Sequence, residues 1–156
     1  MKLNYIIIPL IAILTAGIGS LLTSGGMNWY KSINLPSWTP AGSIIGAVWT
    51  TIFILSAASA LIVWNISSNT GQSRLSWIAG VFIANAVLNI FWSYLFFNQH
   101  IIAPAIFEAG ILGLSVIALI VLIWPISELA ALLLFPYAGW VCFATYLTYS
   151  VWLLNR

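Results

Sequence analysis

Residues 136–156 read PYAGWVCFATYLTYSVWLLNR, a stretch with no charged side chain before Arg156. Twenty helical residues at ~1.5 Å each reach ~30 Å, the thickness of a bilayer's hydrocarbon core. The segment therefore reads as a membrane-crossing helix. It also carries Trp140, Thr145, Tyr146, Thr148 and Tyr149 where leucine would cross lipid more cheaply, so it should contact something inside the protein too.

The rest of the chain has the same character. Its only charged residues are Lys2, Lys31, Arg74, Arg156, Glu108 and Glu128, 4% of 156 residues, against about a quarter in a soluble domain. Breaks at Gly25-Gly26, at Leu35-Pro36 through Gly42, at Ser67 to Arg74, at Asn98 to His100 and at Pro125 to Ser127 divide the sequence into five apolar blocks. The expectation is an all-α membrane protein: one integral domain over residues 1–156, with spanning helices at 5–24, 43–65, 76–97, 102–124 and 128–152. Lys2 before an apolar run resembles a secretory signal, but the run continues to Leu22, which suits a retained span. An odd number of spans puts the termini on opposite sides. Lys2 and Arg74 balance Lys31 and Arg156, so the positive-inside count assigns no orientation.

Net charge +2 with scattered carriers leaves no basic stripe for nucleic acid. Cys142 is the only cysteine and His100 the only histidine; they make no metal-ligand set or catalytic triad, and His100 suits a solvated loop position or, less readily, a single axial haem ligand.

The connection NWYKSINLPSWTPAG (28–42) is aromatic and carries two prolines, unlike a plain Gly/Ser linker. It suits a structured lid at the membrane surface, or an interfacial anchor of the kind Trp and Tyr form anyway. In the third block Asn85, Asn89 and Ser93 repeat every four residues beside Trp92, a polar stripe that must face the bundle. Two roles stay open for it: hydrogen bonds between helices, or the wall of a polar cavity. Ser76, Gly80 and Ala84 make a small-residue face suited to a dimer seam or to packing within the chain, and Gly42-x-x-x-Gly46 is a rival seam.

Glu108 lies about seven residues into the fourth block. A carboxyl there is protonated, paired or facing water, and Arg156, Lys31 and His100 fall on its side. Ser127 and Glu128 suit the cap and first turn of the fifth helix. Among nine tryptophans, Trp64, Trp77, Trp124 and Trp152 sit near helix ends and suit an interfacial belt. Trp49 and Trp140 lie deeper; with Asn85 and Asn89 they could line one pocket for a flat apolar molecule.

The series NWYKSINLPSWTPAG, GAVWTTIF (46–53), NAVLNIFWSYLFF (85–97) and PYAGWVCFATYLTYSVWLLN (136–155) resembles the tryptophan-rich sensory protein family, TspO, which includes the mitochondrial translocator protein. The resemblance runs from Trp29 to Asn155. It implies a five-helix bundle, usually a homodimer, with a cavity opening toward the first loop. It also implies binding of porphyrins and other flat aromatic ligands, with no cofactor required, and in some bacterial members light-driven porphyrin breakdown. The family's two pocket tryptophans fall on Trp49 and Trp140, its ligand-contacting amides on Asn85 and Asn89, and its loop aromatics on Trp29, Tyr30 and Trp38. Trp92 joins them through the polar stripe, and Glu108 falls where many members carry an acidic residue. Pro40-Ala41 replaces the family's usual proline pair, and Leu153 occupies the usual basic place of the sterol motif of animal members.

These readings converge on a multi-pass receptor or sensor for protoporphyrin-like tetrapyrroles, most simply in the cell membrane. The alternatives are a light-dependent porphyrin-degrading protein, with Trp49 and Trp140 as its reactive indoles, and a transporter of similar small molecules.

Overall fold

The computed structural model describes residues 3–70 and 74–156, without the side chains of residues 68–70; Lys2 and residues 71–73 of the expected break at Ser67 to Arg74 lie outside it. Among the described residues the regular elements are all helical. They are α1 (Asn4–Tyr30), α2 (Gly42–Thr70), α3 (Leu75–Ser93) continued by a π-helical turn (Tyr94–Asn98), α4 (Ile102–Ile123), α5 (Glu128–Leu132) and α6 (Phe135–Asn155). Five stretches of 22–28 residues are long and apolar enough to cross a membrane, the last made of α5 and α6 together.

The first helix does not stop at residue 24 but runs through Gly25-Gly26 to Tyr30. Gly26 is buried, and a Cβ added there would lie 2.7 Å from the carbonyl carbon of Phe97. That glycine marks a backbone-to-backbone contact between α1 and the π turn, not a helix end. Trp29 and Tyr30, expected in the loop, therefore form the last turn of α1, and the connection shrinks to residues 31–41.

The last span is broken where it was expected to be continuous. Pro136 has no N–H to give the carbonyl of Leu132, and the chain tightens there, with Leu134 N bonding Ala131 O at 3.0 Å. Ser127 caps α5 as expected, its Oγ accepting from Ala130 N at 3.2 Å with Glu128 next in line.

In the bundle α1 packs on α2, α3 and the π turn, α4 lies against both α3 and α6, and α2 also meets α5. Polar groups at the end away from the first loop are paired: Asn4 Nδ2 donates to Asn65 Oδ1 at 3.1 Å, Asn65 Nδ2 to Tyr5 OH at 2.9 Å, and Ser59 Oγ to Ala130 O at 2.7 Å. In lipid such pairs are worth ~0.6 kcal/mol each. The outer surface is apolar, with Trp77 76% and Phe107 77% exposed beside Leu21, Ile54 and Val121. Such a surface is stable only against lipid or another protein, so the molecule is an integral, multi-pass membrane protein. Gly80 has open space in front of it and Ala84 on the same face is exposed, whereas Gly42 and Gly46 line an internal cavity.

Candidate ligand cavity

Five of the six helices and the first loop surround a cavity of about 640 Å³. Its rim is formed where α1 ends and α2 begins, by Tyr30, Lys31, Leu35 and Gly42. Trp140 lies fifteen residues before Asn155 on α6, about 20 Å below that rim, and Leu112 and Val141 line the same deep end.

The structure brings five of the expected residues to this wall: Trp49, Trp140, Trp92, Asn89 and Tyr30. Trp49 stacks on Phe53 at 5.8 Å and meets Tyr137 edge-on at 6.0 Å. Trp92 lies nearly parallel to Phe96 at 5.2 Å, held by the π turn that continues its helix. The Nε1 atoms of Trp92 and Trp140 are both buried without a hydrogen-bond partner. Both N–H groups are covered by surrounding protein atoms rather than open to the cavity, so it is the rings of these two residues that line it.

Four expected residues do not line the cavity. Asn85 is tied down below it. Its Nδ2 donates to Ser115 Oγ at 2.8 Å, and its Oδ1 accepts from Tyr137 OH at 3.0 Å. That phenol oxygen in turn accepts from Asn89 Nδ2 at 3.1 Å. Of the two roles open to the asparagine stripe, Asn85 takes the interhelical one, while Asn89 takes both. Trp29 is turned to the π turn and to His100, whose ring stacks on it at 4.3 Å. His100 itself holds a left-handed φ of 60°. Trp38 stacks on Tyr146 of α6 at 5.5 Å, fastening the loop to the outside of the helix.

Glu108 sits on the face of α4 that also carries Ala105, Ala109 and Leu112, all buried. It is 4% exposed, and neither carboxyl oxygen has a hydrogen-bond partner. The expected partners do not reach it. His100 is on Trp29, and the guanidinium of Arg156 lies 5.5 Å above the ring of Trp152.

Several contributors escape a sequence reading. Tyr137, 3% exposed, is the hub that joins α3 to α6. Its signal was a tyrosine one turn before a deep tryptophan, with a hydroxyl that needs partners inside lipid. Ser20, Thr23 and Ser24 line the cavity from α1; their spacing on one helical face was legible within the expected span 5–24, but nothing in the sequence said what that face meets. Thr148 of α6 also lines the cavity. Thr145 and Thr148 bond back to the carbonyls of Val141 and Ala144 at 2.8 Å, the usual way a helix in lipid satisfies them. The first loop is latched to the end of α6: Asn34 N donates to Asn155 Oδ1 at 2.9 Å, and Asn155 Nδ2 donates to Asn34 O at 2.8 Å.

Fold and site together define a five-span membrane protein with an aromatic-walled internal cavity under a latched loop. Residues 6–153 match the TspO/MBR family, and the chain belongs to it. It is 33% identical to protein CrtK of Rhodobacter capsulatus, over 99% of this chain and 95% of that protein. It is 32% identical to the tryptophan-rich protein TspO of Bacillus cereus, over 88% of each. The human translocator protein is 29% identical over 89% of this chain and 82% of its own length.

Proposed function

We propose that the protein is a membrane receptor that binds protoporphyrin-like tetrapyrroles in this cavity. The carrying observation is that Trp49, Trp92 and Trp140 line one cavity from three different helices, α2, α3 and α6. A flat aromatic ligand in it would make ring contacts with all three. The volume of about 640 Å³ falls within the ~300–1,000 Å³ usual for small-molecule sites. The resemblance through GAVWTTIF and PYAGW points to the same two indoles, Trp49 and Trp140. In this reading the cell membrane is the setting, and two copies pair through the open face at Gly80 and Ala84.

The test is a titration of detergent-solubilised protein with protoporphyrin in darkness, following tryptophan fluorescence. Saturable quenching that weakens at least tenfold in Trp49→Phe or Trp140→Phe is the expected result. Absence of saturable quenching in the wild type sinks the assignment. Repeating the titration under illumination adds a second result: loss of porphyrin absorbance that Trp140→Phe abolishes would establish the degradative reaction.

A further inference from the structure

Among the described residues the cavity wall is apolar, aromatic, amide or hydroxyl with one exception, Lys31. It is the first residue beyond α1 and lines the rim beside Tyr30 and Leu35. Neither acidic side chain is available to it. Of the two acidic residues in the chain, Glu108 is buried with both oxygens unbonded. Glu128 opens α5, and α5 packs against the far end of α2, where Ser59 bonds Ala130. An exposed ammonium therefore stands at the entrance of an otherwise uncharged cavity.

We infer that Lys31 selects ligands carrying a carboxylate and sets which way round they enter. The inference rests on the binding reading above for the body of the ligand and adds its charge and direction. A carboxylate carried down to Trp140 would meet apolar walls and lose its hydration, whereas at the rim it keeps water and meets a cation. The flexible lysine stem lets the ammonium follow the acid group while its methylenes cover apolar surface. An acidic flat ligand thus binds ring-first, its acid group outward beside Lys31.

The experiment compares protoporphyrin, a dicarboxylic acid, with its uncharged dimethyl ester. Both are titrated in darkness in a neutral detergent at low salt, into wild type, Lys31→Gln and Lys31→Arg. The wild type is expected to prefer the diacid. Lys31→Gln should weaken the diacid about three- to tenfold, the size of a water-accessible ion pair, and leave the ester unchanged. Lys31→Arg should keep the preference, and added salt should shrink it. Equal binding of diacid and ester by the wild type, or equal loss of both in Lys31→Gln, overturns the role of Lys31 while leaving the cavity assignment intact. Failure of the wild type to bind either compound refutes the cavity assignment and this inference together.

Discussion

Two adjacent glycines in α1 should respond to the same substitution with opposite signs. Gly25 faces open space, with nothing within 4 Å of an added Cβ. At Gly26 the added atom would fall 2.7 Å from both the carbonyl carbon and the Cβ of Phe97, and closer still to its carbonyl oxygen. Carbon atoms prefer ~3.5–4.0 Å, so α1 and the π turn must part by roughly 1 Å. Neither side can give easily, because the contact is with backbone and because Phe97 belongs to a buried cluster with Leu95, Phe96, Ala105 and Val151. Overpacking of this kind typically costs about 1–3 kcal/mol, which for a chain of this size lowers Tm by roughly 2–12 °C. Gly25→Ala loses nothing and gains up to about 1 kcal/mol of helix propensity. The assay is thermal unfolding of both variants in one detergent, followed by circular dichroism. Because Phe97 also lines the cavity, Gly26→Ala should weaken protoporphyrin binding as well. A Gly26→Ala protein as stable as Gly25→Ala would refute the close approach of α1 to the π turn.

Further expectations concern the polar groups. Tyr137→Phe strands the Oδ1 of Asn85 and the Nδ2 of Asn89, and should lower stability by about 1–3 kcal/mol in the same unfolding assay while Trp140 still quenches. Glu108→Met removes a buried carboxyl that has no partner, so Tm should hold or rise; a clear fall would show that the carboxyl makes a bond of its own. Asn155→Ala breaks the two bonds that its side chain makes to the loop and leaves only Asn34 Nδ2 donating to Leu154 O at 3.4 Å. It should speed protease cleavage within residues 31–41 and raise the rate of protoporphyrin release in stopped flow, with unchanged rates counting against a latch.

The five spans could be read because lipid imposes a coarse rule: charges are excluded for twenty residues at a time, and turns gather where the exclusion lifts. The two misplaced boundaries arose where a local rule met a tertiary contact. Gly25-Gly26 has the composition of a helix stop, yet the helix continues because packing against Phe97 needs the missing side chain at Gly26. Pro136 was passed over inside an apolar block, yet its missing N–H ends one helix and opens the next. Composition sees both residues, but only the neighbour at Phe97 or the carbonyl at Leu132 decides what each does.

The cavity was legible in part for a related reason. An indole or amide at membrane depth is costly enough to announce that something must satisfy it, which is why Trp49, Trp140 and Asn89 could be picked out without coordinates. Periodicity says which face such a residue shares, but not whether its partner is protein or ligand. Asn85 and Asn89 stand four residues apart on one stripe, yet Tyr137 and Ser115 take up the polar groups of the first and leave the second at the wall. The same limit applied in reverse at Lys31. As one of four cations in the chain it counted toward topology and as a candidate partner of Glu108, and its place at the rim follows from α1 ending at Tyr30, a boundary that the glycine pair had concealed. An error of six residues in one helix end thus removed the only charge from the cavity, since at a helix terminus a few residues decide which side chains face inward.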